Sequence, residues 1–576
     1  MLNRSIKMKK HTKYNTEVTG AEAVILSLLE ENVTDIFGYP GGAIMPIYDA
    51  LYDYSKDLNH YLVRHEQGAT HAAQGYSRVS GKPGVVFATS GPGATNLVTG
   101  IADAQIDSTA LVCITGQVAS HLLGTDAFQE TDVLGITMPV TKWNIQVTKA
   151  EDIPAALAKA FYIATSGRPG PVLVDITKDA QFGKMIYNYT KCENIRSYFP
   201  NPQVKFENVE KAAELINLSN RPFILCGHGV LLSGAEKKLL AFAEKANIPV
   251  ASTLLGLSAF PPDHKLYAGY LGMHGNYGPN LLTNECDVLI AIGMRFDDRV
   301  TGNVSKYAKQ AKVIHLEIDK SEINKIVHAD IALIGNAKES LELLLPLVKS
   351  KKRINWLQRF KTCDEIENEK VIHSARNPNT EKLLMSEVID KLNLISEGKA
   401  IVVTDVGQHQ MITARYYKSN KSNNFVTSGG LGTMGFGLPA AIGAKVAKPE
   451  CEVIAVLGDG GFQMTIQELG TIMQSNIAVK ILILNNNFLG MVRQWQQLFF
   501  DRRYSFTEMK NPDFIAIAKG YGITGKKVTD RKDLIEELTT FYNSKESYLL
   551  EVVVENEENV FPMVKTGASV SEIILE

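Results

Sequence analysis

Two polar segments in the last third of the chain each follow an apolar run directly. Asp459 stands in GDGG after the run VIAVL (Val453 to Leu457), and Asn486 stands in NNN after the run ILIL of VKILIL. Continuous apolar runs that end at glycine or asparagine are typical of buried strands in a parallel sheet. The carboxyl ends of such strands share one edge, where open α/β sheets bind ligands, so we expect a carboxylate and an amide oxygen to lie together there. Oxygen donors of this kind suit Mg²⁺ shared with phosphate oxygens, and the pattern predicts a metal-held diphosphate.

The glycines around Asp459 support that prediction. Phosphate oxygens can approach the backbone at Gly458, Gly460 and Gly461. A GDG segment alone is typical of an ordinary turn, but GDG followed by a strand-terminal NN resembles the thiamine diphosphate fingerprint of the transketolase and pyruvate decarboxylase superfamily. The resemblance implies a metal held by Asp459, Asn486 and the backbone carbonyl of Phe488.

Glu66 is a second candidate, because it follows the strand-like YLVRH and precedes an Ala-rich helical stretch. On its own it is typical of a solvated carboxylate at a helix start, which the helix dipole favours. A thiamine cofactor changes that expectation. Loss of the proton on its C2 atom requires a carboxylic acid that hydrogen-bonds a nitrogen of the pyrimidine ring. We therefore expect Glu66 to supply that carboxylic acid, from a domain other than the one that holds the diphosphate.

Strand-like runs and helical patterns alternate in three blocks, which predicts an α/β fold of three doubly wound parallel-sheet domains. The blocks span residues 17–183, 207–347 and 381–555, with a C-terminal tail at 556–576. Residues 184–206 lose periodicity and gain prolines, as a linker does, and residues 348–380 are charged and irregular.

Length and composition agree with a multidomain globular protein. A chain of 576 residues favours about three or four domains, and 45% hydrophobic with 21% charged residues is ordinary. A net charge of −2 provides no footprint for nucleic acid or a membrane surface, and no apolar run approaches the roughly 20 residues that span a bilayer. We expect neither partner.

The cysteines and the N-terminal lysines point to a cytoplasmic protein. The six cysteines are scattered without CxxC pairs, so we expect reduced, mostly buried thiols rather than disulfides or zinc. The Lys-rich start, with Lys7, Lys9, Lys10 and Lys13, lacks the apolar core and cleavage site of a targeting segment. We expect it to be a disordered cytosolic tail.

Motifs spread from about residue 17 to the end carry a resemblance to one enzyme family. They are FGYPGG, Glu66, FATSGPGATN, GTDAFQE, GRPGPVLVDITKD, GMHG, GMRFDDRVTG, GLGTMGFGLPAA and GDGG with NNNFLGMVRQWQ. The chain resembles acetohydroxyacid synthase, the catalytic large subunit of biosynthetic acetolactate synthases. This implies, in chain order, a thiamine pyrimidine-binding domain, a central FAD-binding domain and a thiamine diphosphate/Mg²⁺-binding domain. It also implies decarboxylation of pyruvate and transfer of the two-carbon unit to pyruvate or 2-ketobutyrate, the first common step of branched-chain amino acid biosynthesis.

The resemblance assigns residues to the thiamine cofactor and to the substrates. Further thiamine diphosphate residues are Val406, Gly407, Gln408, His409, Gly432, Met434 and Met491, of which Met434 wedges the cofactor into a bent form. Arg299 is placed on the carboxylate of the second 2-ketoacid, which an arginine can bind bidentately; the alternative is a surface pair with Asp298. The same cavity is shaped by Phe128, Gln129, Lys178 and Met273.

Trp495 is expected to contact the extra methyl group of 2-ketobutyrate, because the VRQWQ motif matches the family. The alternative is a core anchor, since tryptophan buries a large area wherever it lies. SGPGATN also begins like a dinucleotide fingerprint, but Asn96 stands at its third glycine position, so we discount an NAD site. The family implies instead that this loop lines the active-site cleft.

The resemblance also implies that FAD binds in an extended pose. Its residues are Arg168, Gly229, Thr253, Leu254, Leu271, Gly272, Met273, His274, Gly293, Arg295, Asp297, Glu317, Ile318, Asn336 and Ala337. Glu317 and Asn336 depart from the family, which more often has aspartate at both positions. Because ketoacid condensation involves no net redox change, the flavin is expected to be structural.

The resemblance also implies how the chain assembles, and three alternative functions stay open. The family implies a homodimer or tetramer with active sites at the interface and a separate regulatory small subunit. An FAD-dependent pyruvate oxidase shares the Glu66 and GDG signals but should lack RFDDRVTG and the tryptophan of VRQWQ. A catabolic acetolactate synthase needs no FAD. A non-catalytic paralogue would normally have lost Glu66 or Asp459, and this chain retains both.

Overall fold

The structure is a computed structural model that describes residues 13–576. The lysines at positions 7, 9 and 10 lie outside the described residues, so the predicted N-terminal tail stays a prediction; Lys13 is described, and its ammonium group pairs with Glu22. The described chain divides into two compact units, residues 13–74 with 82–198, and residues 75–81 with 199–576. Within residues 13–576 every helix is too short or too polar to cross a membrane.

The first unit contains a six-stranded parallel sheet. Its strands are β2 (Asp35–Gly38), β3 (Asn59–Leu62), β4 (Gly84–Ala88), β5 (Leu111–Gln117), β6 (Trp143–Val147) and β7 (Pro171–Thr177), in the order β3-β2-β4-β5-β7-β6. A separate antiparallel pair joins β1 (Glu17–Thr19) to β8 (Lys184–Ile186). The helices are α1 (Gly20–Glu30), α2 (Met45–Asp53), α3 (Glu66–Ser80), α4 (Pro92–Asn96), α5 (Val98–Ile106), α6 (Val133–Thr137), α7 (Ile153–Thr165) and α8 (Lys178–Phe182), and the part of α3 from residue 75 onward is grouped with the second unit.

The second unit begins with a central parallel sheet. Its strands are β9 (Pro222–Cys226), β10 (Val250–Ser252), β11 (Tyr267–Tyr270), β12 (Val288–Ile292), β13 (Lys312–Glu317) and β14 (Ile331–Ile334), in the order β11-β10-β9-β12-β13-β14. The accompanying helices are α9 (Phe206–Leu218), α10 (His228–Leu232), α11 (Glu236–Ala246), α12 (Tyr277–Thr283), α13 (Asp298–Thr301), α14 (Ala337–Leu347), α15 (Ile354–Glu367) and α16 (His373–Arg376).

A third parallel sheet completes the second unit. Its strands are β15 (Ile401–Thr404), β16 (Phe425–Val426), β17 (Val453–Gly458), β18 (Lys480–Asn485), β19 (Thr524–Val528) and β20 (Tyr548–Val553), in the order β16-β15-β17-β18-β20-β19. The helices are α17 (Met385–Ser396), α18 (Gln408–Tyr416), α19 (Gly437–Ala447), α20 (Asp459–Met464), α21 (Leu469–Ser475), α22 (Gly490–Phe499), α23 (Phe514–Gly520) and α24 (Leu534–Asn543). A short hairpin of β21 (Met563–Val564) and β22 (Ile573–Ile574) lies in the predicted C-terminal tail.

The prediction of three doubly wound parallel sheets is confirmed. Every residue of the inner strands β5, β12, β17 and β18 is buried, as expected for strands covered by helices on both faces. The first and third sheets have the same strand order, whereas the central sheet has the order of the doubly wound dinucleotide-binding fold. In the central sheet, connections run in opposite directions from β9 and β12, which opens a crevice at their carboxyl ends.

The expectation of irregular structure over 348–380 is wrong. This segment forms α15, a π-helical turn (Asn368–Ile372) and α16. Trp356, Phe360, Cys363 and Glu367 are buried at helical spacing, so an amphipathic stripe is present although the charged residues around it obscure the pattern. Part of the predicted linker 184–206 is also ordered, because β8 occupies its first residues.

Candidate active site

Asp459 and Asn486 lie at the carboxyl ends of two neighbouring parallel strands. β17 and β18 pair with Gly458 opposite Leu484, which brings the next residues of each strand to one edge of the sheet. Asp459 is the first residue of α20 and is 1% exposed, and Asn486 follows β18 and is 2% exposed. The structure thus brings these two predicted residues together.

Three side-chain oxygens converge at this edge on the amide nitrogen of Asn511. Asn511 Nδ2 donates to Asp459 Oδ2 at 2.7 Å, to Asn485 Oδ1 at 3.0 Å and to Asn487 Oδ1 at 3.1 Å. Burial raises the pKa of Asp459 to about 6, while the hydrogen bond from Asn511 lowers it. A bound cation would favour the ionised carboxylate at this position.

The donor set at this edge contains one carboxylate and several amide oxygens. Asn486 Oδ1 accepts from the N–H of Phe488 at 3.2 Å, and Asn486 Nδ2 donates to Gln408 Oε1 at 3.3 Å. Among residues 13–576 no group of three or more His, Cys, Asp or Glu side chains could hold a metal. One carboxylate with several amide oxygens suits Mg²⁺, which accepts oxygen ligands and keeps part of its coordination for phosphate and water.

The segment after β15 places a buried histidine against the GDGG loop. The ring of His409 lies 2.8 Å from where a Cβ on Gly458 would be, so only glycine fits there. Burial lowers the pKa of His409 to about 3, which keeps the imidazole neutral, and its Nε2 atom has no hydrogen-bond partner in the described chain. The GDGG loop is therefore packed against a neutral, buried imidazole.

Asp405 packs against the GDGG loop and accepts hydrogen bonds from two other segments. Its carboxylate accepts from the N–H of Val406 at 2.6 Å and from that of Gly435 at 2.9 Å, and a Cβ on Gly461 would lie 2.7 Å from it. Burial raises the pKa of Asp405 to about 7. Asp405 therefore ties Val406 to the GLGTMG segment, in which Gly432 has a φ of +70°.

Three predicted residues of the third region lie beside the GDGG loop or a cavity: Met434 at the loop, and Met491 and Trp495 at the cavity. The Met434 methyl group lies 3.7 Å from where a Cβ on Gly460 would be. Trp495, in α22, is partly exposed and packs edge-on against Phe499 at 6.0 Å. A cavity of about 650 Å³ is lined by Met491, Val492, Trp495, Gln496, Phe500, Arg503 and Ser505. This exposure disfavours the alternative in which Trp495 anchors the core.

Glu66 is the first residue of α3 in the first unit, after β3. Its carboxylate is half-buried, and Oε2 accepts from Asn96 Nδ2 at 2.9 Å. A Cβ on Gly93 would lie 3.3 Å from Oε1. The SGPGATN loop is thus packed beside Glu66 and supplies a donor that orients it.

The other predicted residues of the first unit lie on loops and at a helix start. Phe128 is 88% exposed, and Gln129 has a φ of +61°; a Cβ on Gly91 would lie 2.8 Å from the Gln129 carbonyl oxygen. Lys178 is the first residue of α8, directly after β7. Arg168 donates from Nε to Ser108 Oγ at 2.8 Å.

The predicted flavin residues of the second unit follow the carboxyl ends of the six central strands. Strand by strand they are Gly229 after β9; Thr253 and Leu254 after β10; Leu271, Gly272, Met273 and His274 after β11; Gly293, Arg295 and Asp297 after β12; Glu317 and Ile318 at the end of β13; and Asn336 and Ala337 after β14. At the crevice between β9 and β12, a Cβ on Gly229 would lie 2.7 Å from Gly293 Cα. This edge is where a doubly wound sheet accepts a nucleotide.

The two positions that depart from the family satisfy the backbone locally. Glu317 Oε1 accepts from the N–H groups of Ile318 at 2.9 Å and Asp319 at 3.1 Å. Asn336 caps α14 by accepting from Lys338 at 2.9 Å. Both side chains therefore help to order the loops after β13 and β14.

Arg299 lies in α13, beside the loop after β11. Its Nη1 is 3.7 Å from Met273 Sδ, and its carbonyl accepts from the Met273 N–H at 2.8 Å. The ion pair with Asp298 is 3.8 Å long, and the two side chains are 56% and 80% exposed, so it stabilises little. The guanidinium group is accessible to an anion.

Sequence reasoning missed Asn511, Asp405 and Gln494. Gln494 Oε1 accepts from Gln408 Nε2 at 3.0 Å, and both side chains are buried. The strand-end position of Asp405, after the run AIVVT, was a usable signal for that residue. Asn511 stands in the polar loop KNPDF, where no pattern distinguishes it.

The sequence matches known proteins along nearly its whole length. Three domain families of thiamine pyrophosphate enzymes match it: the N-terminal TPP binding domain over residues 18–136, the central domain over 209–344 and the C-terminal TPP binding domain over 405–552. The probable acetolactate synthase large subunit of Methanocaldococcus jannaschii is 47% identical over 568 residues, which cover 96% of this chain and 95% of that protein. The Escherichia coli K12 acetolactate synthase isozyme 2 large subunit is 46% identical over 565 residues, which cover 97% and 99%. The Lactococcus lactis acetolactate synthase large subunit is 43% identical over 567 residues, which cover 98% and 97%.

Proposed function

The chain belongs to the thiamine pyrophosphate enzymes, in the family of acetolactate synthase large subunits, and from that premise we propose how its residues divide the work. The reaction is formation of acetolactate from pyruvate on thiamine diphosphate, in branched-chain amino acid biosynthesis. Bound thiamine diphosphate supplies a nucleophilic carbon and an electron sink for the decarboxylation. The residues hold that cofactor, move its proton and place the second ketoacid.

We assign metal binding to Asp459, Asn486 and the carbonyl of Phe488. One carboxylate with amide and carbonyl oxygens leaves positions on Mg²⁺ for the diphosphate. The observation that carries the assignment is the placement of Asp459 and Asn486, both buried, directly after the neighbouring parallel strands β17 and β18. The glycines of GDGG would let the phosphate oxygens approach the backbone, with His409 packed beside Gly458.

Glu66 exchanges a proton with the pyrimidine ring nitrogen of the cofactor. A carboxylic acid there promotes loss of the proton from the reacting carbon, which is general acid–base catalysis by a positioned group. Asn96, donating at 2.9 Å, keeps the carboxylate oriented. Met434, which lies beside Gly460, would contact the bound cofactor.

The second ketoacid is held by Arg299 and selected by Trp495. An exposed guanidinium group binds a carboxylate bidentately, and Met273 packs beside it. Trp495 provides an apolar surface for the methyl group that 2-ketobutyrate has and pyruvate lacks. Phe128, Gln129 and Lys178 complete the cavity around the ketoacids.

The residues at the carboxyl edge of the central sheet would hold FAD as a structural group. The support is the placement of Gly229, Gly293, Glu317 and Asn336 at successive strand ends of a sheet with dinucleotide-binding order. Arg168 would supply a cation to this flavin site. Because the condensation transfers no net electrons, it requires no net oxidation or reduction of the flavin.

Two or more copies of the chain form the active enzyme. Glu66 of one copy acts on the cofactor held by Asp459 of another, so a homodimer is the smallest active unit and a tetramer is a pair of such dimers. The names of the relatives, which call them large subunits, support a separate regulatory small subunit.

One assay of the purified protein tests this function. With pyruvate, Mg²⁺ and thiamine diphosphate we expect acetolactate, and added 2-ketobutyrate should give 2-aceto-2-hydroxybutyrate. The absorption spectrum and the dependence of activity on added FAD test the flavin. Reduction of FAD by pyruvate without acetolactate would instead indicate a pyruvate oxidase, and full activity of flavin-free protein would indicate the catabolic type.

A further inference from the structure

The segment that follows β11, residues 272–277, consists of a loop and the first residue of α12; it carries proposed cofactor and substrate residues and is held at both ends. At its start, the N–H of Gly272 donates to Asn280 Oδ1 at 3.2 Å. The N–H of Met273 donates to the carbonyl of Arg299 at 2.8 Å. The position of the loop and the position of Arg299 are therefore coupled.

The end of the loop is held by a buried ion pair between Arg415 and Glu367. Arg415 Nη1 donates to Glu367 Oε1, and the two side chains are 1% and 3% exposed. Arg415 Nη2 donates to the carbonyls of His274 at 2.6 Å and Gly275 at 3.1 Å. The guanidinium group thus joins its carboxylate partner to two successive loop residues.

Glu367 holds the next two residues of the loop. Its Oε1 also accepts from Asn276 Nδ2 at 2.9 Å, and its Oε2 accepts from the N–H of Tyr277 at 2.7 Å. Residues 274–277 are therefore all hydrogen-bonded to one ion pair. Because a guanidinium group has a fixed planar set of donors, this geometry is specific to arginine.

Arg415 and Glu367 lie on helices that adjoin different proposed binding sites. Arg415 lies two turns along α18 from Gln408 and His409, the proposed thiamine diphosphate residues. Glu367 is the last residue of α15, which packs on the central sheet. The ion pair therefore joins the helix that holds the thiamine cofactor to the loop that adjoins Arg299.

We propose that the Arg415–Glu367 pair is a positioning device for the acceptor ketoacid. It fixes residues 274–277 and, through Met273, sets where the guanidinium group of Arg299 meets the acceptor carboxylate. This inference rests on the proposed function, in which Arg299 binds the acceptor. The donor step, decarboxylation of pyruvate, does not depend on the pair.

The test compares three variants of the holoenzyme, Arg415→Met, Arg415→Lys and the double variant Arg415→Met/Glu367→Leu. A shift of the loop by about 1 Å misplaces Arg299, so in folded Arg415→Met we expect KM for 2-ketobutyrate to rise about 10- to 100-fold. The affinity for thiamine diphosphate and the single-turnover release of carbon dioxide from pyruvate should change by less than about threefold, because neither step uses Arg299. Arg415→Lys should recover only part of the loss.

The double variant separates positioning from stability. Replacing both partners of a buried pair is tolerated far better than removing one, so this variant should fold like the parent. We expect its KM for 2-ketobutyrate to stay raised, because the bonds to residues 274–277 are gone. Lys418→Met is the matched control: Lys418 pairs with Asp263 at 3.3 Å, but the side chains are 46% and 83% exposed, and its KM should equal that of the parent.

A parental KM in the folded double variant would overturn the positioning role. So would loss of folded protein in all three variants, because the pair would then serve stability alone. If the parent protein forms no acetolactate, the proposed function fails and this inference falls with it. An active parent with unaffected variants refutes the inference alone.

Discussion

The first and third parallel sheets have the same strand order, yet they present different chemistry at their carboxyl ends. β4 in the first sheet corresponds in order to β17 in the third, and β3 corresponds to β16. Asp459 follows β17, whereas Thr89, Ser90 and Gly91 follow β4. Glu66 lies after β3, whereas residues 427–436 after β16 contain no carboxylate. The shared fold provides two edges of the same design, and the residues at each strand end decide what that edge binds.

The difference fits a division of labour between the two regions. The third region gathers one carboxylate and several amide oxygens, which suits a cation and a diphosphate. The first region presents a half-buried carboxylate that is oriented by Asn96, which suits proton exchange with a ring nitrogen. Substitutions at the two edges should therefore fail in different steps, binding in the third region and turnover in the first.

The largest effect is expected from Asp459→Ala. Without Asp459, a divalent cation beside the diphosphate keeps only neutral ligands from the protein, and Mg²⁺-dependent binding of thiamine diphosphate should be abolished. Titration of the cofactor by tryptophan quenching measures this. Phe488→Ala is the control and should bind almost as the parent does, because only its backbone carbonyl takes part. Unchanged affinity in Asp459→Ala would refute the metal site.

Glu66→Gln should leave binding intact and slow turnover. The amide cannot exchange the proton, so kcat should fall by about 10²–10⁴, while the dissociation constant of thiamine diphosphate stays near the parent value. Acetolactate formation and cofactor titration together measure the two quantities. Glu151→Gln, at an exposed carboxylate of the same unit, should be fully active. Parental turnover in Glu66→Gln would remove the proposed role of the first region.

Trp495→Leu sharpens the account of the third region by changing selectivity alone. Loss of the indole surface should lower the preference for 2-ketobutyrate over pyruvate by about 10- to 200-fold, the range for one buried methylene, with acetolactate synthesis largely kept. A competition assay with both ketoacids gives the product ratio. In contrast, Trp356 is 3% exposed and bonds the Pro222 carbonyl, so Trp356→Leu should lower stability without changing the ratio. An unchanged ratio in Trp495→Leu contradicts the selectivity role.

The smallest effect concerns a carboxyl that serves the fold. Burial raises the pKa of Glu558 from 4.5 to about 6, although it accepts from the N–H of Met385 at 2.7 Å. The folded state then binds the proton more tightly than the unfolded state, so the protein loses stability as pH rises from 4.5 through 6. Glu558→Gln should lack that loss and gain about 2 kcal/mol in unfolding free energy relative to the parent between pH 4 and 7. An unfolding free energy that changes with pH in the same way in the parent and in Glu558→Gln would contradict this prediction. Glu557→Gln, at an exposed position, is the control.

Much of the fold and the core of the site could be predicted from local pattern. The apolar runs before Asp459 and Asn486 predict adjacent buried strands, and β17 and β18 pair as expected. The helix α15 could not be predicted, because its buried stripe is interrupted by charged neighbours.

Contacts between segments far apart in sequence also escaped prediction. Asn511 reaches Asp459 from a polar loop, and Arg415 reaches Glu367 from another helix. Such pairs are set by tertiary packing, and no local period or turn residue marks them. The strand ends, in contrast, are local features, which is why Glu66 and Asp459 could be singled out.

The most direct test of the different roles of the two regions mixes two variants of low activity, Glu66→Gln and Asp459→Ala. If Glu66 of one copy serves the cofactor held by Asp459 of the other, a mixed dimer has one intact site. After subunit exchange at equal amounts, half of the dimers should be mixed, and each mixed dimer has one working site of two. We therefore expect about a quarter of the parental acetolactate synthesis. Native mass spectrometry confirms that mixed dimers form. A mixture that contains them and is no more active than the separate variants would contradict the proposed sharing of one site between the two regions.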